Sequence, residues 1–235
     1  MKVKFFLWVL GMSLFGAAPV FATTASVNFG APTTISGDTA TYTYDSQTVT
    51  ATGYLCTDNT LASCTTSGVT LVDKQNGMGE SGLGVMGGPH GDDEIESNTF
   101  LQLDFSALAN AGITSLTFQI QSVQNGEGFR LYESNTAGLP GATALETVVG
   151  NGSNNPKWVV TTTVSVNLAT DPFIDISAIN NNAAHSHNDV LLGAIPSPTR
   201  GPIPGPAPEP GTLALLGTGL LGLGCVVRRY VAHST

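Results

Sequence analysis

The chain has 235 residues, of which only 11% are charged, and its 17 acidic side chains against 8 basic ones give a net charge of −9. A surface of that sign repels a phosphate backbone, which argues against nucleic-acid binding and favours cations and solubility outside the cell. Between the two terminal segments described below, the basic residues are Lys74, Arg130, Lys157 and Arg200, and the body they belong to is long enough for one domain with its own core.

Lys2 and Lys4, an apolar run over 5–15, and Val20-Phe21-Ala22 form the basic, apolar and small-residue parts of a secretory signal peptide. The expected signal peptide is 1–22, cleaved after Ala22, which makes the Sec translocon and signal peptidase partners of the precursor. The body then runs over 23–195.

Residues 40–44 and 48–52 are rich in Thr, Tyr and Val, with Asp45-Ser46-Gln47 between them, and they read as a first β-hairpin. Cys56 and Cys64 follow. In an oxidising compartment they are expected to form a disulfide around a short polar loop, whereas Cys225 lies in a C-terminal apolar run and reads as a small apolar residue. A strand is expected over 69–72. The glycine-rich passage 77–91 reads as too flexible for regular structure.

The clearest alternation lies in the middle of the chain. Leu101, Leu103 and Phe105 alternate with Gln102 and Asp104, and Leu116, Phe118 and Ile120 with Thr117, Gln119 and Gln121. Both read as half-buried strands. Residues 129–133 repeat the device, a long strand is expected over 158–168 beginning at Trp158, and 174–176 and 190–195 supply two more. Only 106–111 invites a helix, of about one turn. Many short strands, turn residues between them and no long amphipathic helix predict an all-β fold, an antiparallel β-sandwich of jelly-roll-like kind.

The densest polar cluster is Asp92, Asp93, Glu94 and Glu96, beside His90. Such a run reads first as a solvated acidic turn; the alternative is a Ca²⁺ site, since carboxylates crowded on a loop suit an ion that takes six to eight oxygens in irregular geometry, although the spacing fits no EF-hand. His185 and His187 form a His-x-His pair without a third ligand at metal-site spacing. Glycine patterns at 82–87 and 217–222 match the dinucleotide fingerprint but lack its strand-to-helix setting. Ser81 lacks the second glycine of a nucleophile elbow. No enzyme is expected. The alternative is a secreted glycan-active hydrolase using two of Asp92, Asp93, Glu94, Glu96 and Asp104, since such chemistry needs paired carboxylates.

Residues 196–207 hold proline at nearly every second position and read as an extended linker that does not pair in a sheet. Pro208-Glu209-Pro210 comes next, then an uncharged apolar run over 212–227, then Arg228-Arg229. As a helix that run covers roughly 24 Å, somewhat short of the about 30 Å of a bilayer core. The arginines place the following tail, 230–235, in the cytoplasm.

Taken in that order, 208–229 resembles the sorting segment of PEP-CTERM proteins of Gram-negative bacteria. The resemblance implies recognition of Pro208, Glu209, Pro210, Arg228 and Arg229 by an exosortase, a membrane-embedded cysteine protease. It implies an inner-membrane intermediate with the body in the periplasm, then release to the cell surface or the extracellular matrix, and association with exopolysaccharide and biofilm material. A permanent anchor on the same helix is the alternative. Whether the body binds glycan is a weaker expectation, for which Tyr42, Tyr44 and Tyr132 are candidate stacking residues on exposed faces.

Overall fold

The computed structural model describes residues 26–75, 80–88, 90–124, 126–150, 159–179, 188–196, 198–201 and 218. The expected signal peptide with Ala22, Trp158, the pair His185 and His187, and the expected sorting residues Pro208, Glu209, Pro210, Arg228 and Arg229 lie outside them. Among the described residues no helix is long and apolar enough to cross a membrane.

Sixteen strands and a single 3-10 turn, Ser106–Leu108, make up the described body. In chain order the strands are β1 Val27–Asn28, β2 Thr34–Ser36, β3 Thr39–Tyr44, β4 Gln47–Cys56, β5 Cys64–Thr65, β6 Thr70–Gln75, β7 Ser81–Met86 and β8 Ile95–Glu96. They continue with β9 Thr99–Asp104, β10 Ile113–Gln121, β11 Gly128–Ser134, β12 Ala144–Val149, β13 Val160–Ser165, β14 Phe173–Ala178, β15 Asp189–Ile195 and β16 Thr199–Arg200. The first sheet runs β13-β10-β15-β7-β6, with β1 and β8 on β15 and β16 on β10. The second runs β12-β11-β14-β9-β4-β3-β2, with β5 on β4. Every pairing is antiparallel. The body is an antiparallel β-sandwich.

Alternation explains why the sheets face each other. Leu116, Phe118 and Ile120 of β10, Leu83 and Val85 of β7 and Leu192 of β15 meet Val49, Ala51, Leu101, Leu103, Phe129, Leu131, Ile174 and Ile176 of the second sheet in one buried core. Burying each such side chain contributes about 1.5–3 kcal/mol. The β3–β4 hairpin turns on Asp45 and Ser46, both at positive φ (53° and 63°). That is the I′ geometry whose twist matches a hairpin, and Asp tolerates it better than most residues.

Three expectations change. The glycine-rich passage contains a strand, β7, whose Leu83 and Val85 point into the core. A Cβ on Gly84 would stand 1.9 Å from the Asp93 carbonyl oxygen, and one on Gly82 would stand 2.7 Å from that of Leu192. The glycines admit close backbone approach, as strand glycines often do. The linker expected from 196 also needs correction at its start, because Thr199 and Arg200 pair with Ser115 and Ile113 of β10. Proline bars pairing only where its own missing N–H is needed, and Thr199 and Arg200 lie between prolines. Arg200 forms an ion pair with Asp45.

Tyr42 and Tyr44 are likewise not on an exposed face. Both are buried, at 2% and 0% exposure, because Ala40, Tyr42 and Tyr44 form the inward register of β3. Tyr42 packs on Phe29 with ring centroids 4.6 Å apart and donates to the Phe29 carbonyl at 3.2 Å. Tyr44 lies edge-on to Phe105 and donates to the Pro196 carbonyl at 3.4 Å. Burial raises both phenol pKa values, and the nearby carboxylates Asp73 and Asp45 add to the shift.

Candidate functional site

The outer face of the second sheet is built differently from a simple solvated face. Phe100 of β9 points outward yet is fully buried, together with Cys56 and Leu61, under Tyr54, Cys64 and Tyr132. Tyr54 and Phe100 are cross-strand partners, stacked at 4.7 Å between ring centroids. Cys56 and Cys64 face each other across β4 and β5 and are joined by a disulfide with S–S 2.08 Å. The bridge closes a loop that returns over the sheet, and Leu61, at φ 58°, plugs it into the aromatic cluster. A non-glycine residue in that conformation is held there by its surroundings.

A second loop seals the next row. Tyr132, Asp175, Gln102 and Thr52 lie side by side across β11, β14, β9 and β4. Asp175 is buried and Gln102 nearly so. Gln102 Nε2 donates to Asp175 Oδ1 at 2.7 Å and to the Thr136 carbonyl at 3.3 Å, and Gln102 Oε1 accepts from the Gly138 amide at 2.8 Å. Ser134 Oγ donates to the Leu139 carbonyl at 2.6 Å. These bonds pull the segment 134–142 down onto the sheet. Burial raises the Asp175 pKa to about 7 against the opposing bonds from Gln102 and the Gly141 amide.

Between the two loops runs an open groove of about 590 Å³, within the usual range for ligand sites. Tyr132 lines it together with Leu61, Leu139 and Pro140, and Thr60, Asn135 and Thr136 supply polar groups. Leu139 is 45% exposed. Glu133 and Asp171 also line it, and no Lys, Arg or His among the described residues does. Glu133 accepts from the Asn167 amide. Burial raises its pKa, and Asp171 adds to that. Of the two residues that position the loop, Gln102 reads from the sequence as the polar side of an alternating strand, and Asp175 is singled out for no role. Nothing local marks them, because the segment that buries them arrives from more than thirty residues away.

The four carboxylates of the alternative calcium reading take separate paths. Glu94 pairs with Lys74, which also lies 3.3 Å from Glu80. Glu96 meets His90 Nδ1 at 2.8 Å. Ile95 between them is fully buried in the core, and Asp92 and Asp93 are half-buried. Among the described residues no three or more His, Cys, Asp or Glu side chains are placed to hold a metal ion. The cluster around Lys74 instead gathers Glu80, Glu94, Glu127 and Asp189, acids from four separate segments. Burial raises the pKa of Glu94, with Asp189 adding to it and Lys74 opposing. Burial raises Asp189 as well, helped by Glu127, and it lifts Glu127 to about 7. For Lys74 burial works the other way, yet the Glu94 and Glu80 carboxylates outweigh it and its pKa is raised. Asp104, the remaining candidate acid, accepts from the Ser106 amide at 2.8 Å and opens the 3-10 turn.

Two antiparallel sheets around one core, with a loop-walled groove on the outside of one of them, define an all-β sandwich protein. A family match comes from the far end of the sequence, where the family described as the PEP-CTERM protein-sorting motif matches residues 206–229. By that match the chain carries the sorting motif of PEP-CTERM proteins, which implies export, surface sorting and an exosortase as processing partner. No curated protein matches. Among solved structures, similarity extends to a family 6 carbohydrate-binding module (15% identity, TM-score 0.31, covering 57% of this chain and 84% of that one). It extends also to a carbohydrate-binding module of Cellvibrio mixtus lichenase 5A in complex with cellotriose (12%, 0.31, 57% and 89%). A third is the K3 adhesin domain of Lys-gingipain from Porphyromonas gingivalis W83 (16%, 0.31, 48% and 69%). The fold assignment rests on the two sheets themselves.

Proposed function

We propose that this is a non-enzymatic surface protein that Sec exports and an exosortase cuts near Pro208-Glu209-Pro210, and whose sandwich associates with extracellular polysaccharide through the groove over Tyr132. The observation that carries the glycan part is the groove itself: an aromatic side chain between two immobilised loops, with hydroxyl and amide groups along the walls. A sugar ring offers apolar C–H faces to an aromatic and hydroxyls to such walls, so both kinds of group are used at once. In this role the Cys56–Cys64 bridge keeps one wall in place, which suits an oxidising exterior.

None of Asp92, Asp93, Glu94, Glu96 and Asp104, the acids of the hydrolase alternative, lines this groove. The test is affinity electrophoresis of the purified chain in gels containing the producing cell's own polysaccharide. Retardation that Tyr132→Ala abolishes is the expected result. Unchanged mobility in wild type sinks the glycan reading, and release of shorter chains from the polymer sinks the non-enzymatic one. Processing is tested separately by mass spectrometry of the surface-exposed protein, where a C-terminus retaining residues 213–227 would overturn cleavage.

A further inference from the structure

We propose that the groove over Tyr132 takes a glycan bearing free amino groups, with an ammonium seated beside the Glu133 and Asp171 carboxylates and a sugar ring against Tyr132. The inference rests on the glycan reading above and adds the charge class of its ligand. Glu133 and Asp171 open into the same groove, and among the described residues no basic side chain lines it to neutralise them. They lie close enough that Asp171 disfavours ionisation of Glu133, so a cation between groove and solvent relieves a repulsion already present in the empty site. An ammonium matches them in kind: it has three donors and no acceptor, while ionised carboxylates only accept. The face of Tyr132 attracts the same charge.

The binding partners of the two acids leave capacity for a ligand. Glu133 Oε1 takes the Asn167 amide and Asp171 Oδ2 takes the Thr170 hydroxyl at 2.6 Å. Each carboxylate accepts more than one bond. The whole chain favours the same partner, since a net charge of −9 draws a polycation toward the surface before contact. An acidic glycan meets the reverse: its carboxylates would be brought against Glu133 and Asp171 with no compensating cation, which is how a site rejects a wrong partner.

The experiment is calorimetric titration of the purified full-length chain with a glucosamine hexamer, its fully N-acetylated counterpart and a uronate hexamer. The free-amine hexamer is expected to bind roughly tenfold or more tighter than the acetylated one, a difference of about 1.4 kcal/mol, with the uronate weakest. Asp171→Asn is expected to remove most of that preference, read as the ratio of the two amino-sugar affinities. It serves beside Glu133→Gln because Glu133 also holds the Asn167 turn. Equal affinity for both amino-sugar hexamers, or a preference for the uronate, overturns the amine inference and leaves the glycan reading standing. A preference that survives both acid variants and Tyr132→Ala overturns it too, because attraction is then to the acidic surface at large. Failure of all three hexamers and of the native polysaccharide overturns both readings together.

Discussion

On the first sheet, β13 turns Thr161, Thr163 and Ser165 to solvent, and the Thr163 hydroxyl meets that of Thr117 at 2.8 Å across the β10 pairing. On the second sheet the matching outward positions, Phe100, Gln102 and Asp175, are buried. The local patterns are of the same kind, apolar residues inward and, Phe100 apart, polar ones outward. The difference lies in what returns over them: nothing described covers the threonine ladder, whereas the disulfide loop and the segment 134–142 cover the other face. This sheet face carries a groove because two loops are pinned to it, and the pins are an aromatic stack, a disulfide and a buried amide-carboxylate pair.

The largest effect that separates the two faces is expected from Phe100→Ala, which removes the ring beneath Tyr54 and Tyr132. Loss of a buried phenylalanine costs about 3–5 kcal/mol, and denaturant unfolding reads it directly. A loss below about 1 kcal/mol would mean the outer cluster is not a second core. Removing the disulfide by Cys56→Ser with Cys64→Ser comes next, at about 2–3 kcal/mol from loop-closure entropy. Binding to polysaccharide is expected to weaken in step, since Leu61 is held by that loop.

The buried acid supplies a pH signature of intermediate size. Burial lifts Asp175 to about 7 from its ordinary 3.8, so above about pH 4 the unfolded chain releases a proton that the folded chain retains until near neutrality. Stability is therefore lost as pH rises between those values and levels off above them. Glu127, also raised to about 7, acts in the same direction. Thermal unfolding is expected at higher temperature at about pH 5 than at about pH 8, and Asp175→Asn, which keeps an acceptor for Gln102, should flatten that slope. An unchanged slope in the variant would assign the effect to Glu127 and its neighbours. The smallest effect belongs to the solvated face, where Thr163→Ala is expected to change stability by no more than about 0.5 kcal/mol. A cost above about 1 kcal/mol would show that this ladder, too, is covered.

Much of the fold was legible in the residues. Period-two alternation at Leu116, Phe118 and Ile120 gave β10, the Asp45-Ser46 turn gave the first hairpin, and the absence of a helical period gave the sandwich. The strand at 81–86 was not legible, because Gly82 and Gly84 weaken the propensity signal and only the Asp93 and Leu192 backbones pressed against them explain the choice. Tyr42 and Tyr44 were misplaced for another reason. A Thr-Tyr alternation does not say which of its two faces meets the opposite sheet.

The candidate site divides along the same line. By itself the sequence determined the sorting motif, the sandwich class, the acidic charge and the spacing of Cys56 and Cys64, because each depends on order and composition along the chain. Only the tertiary structure decided that Glu94 and Glu96 part company for Lys74 and His90, that Asp175 is buried beneath a distant loop, and that Glu133 and Asp171 share a groove with Tyr132. These depend on which loops come back across which strands, and burial and charge pairing are set by those long-range returns rather than by neighbours in sequence.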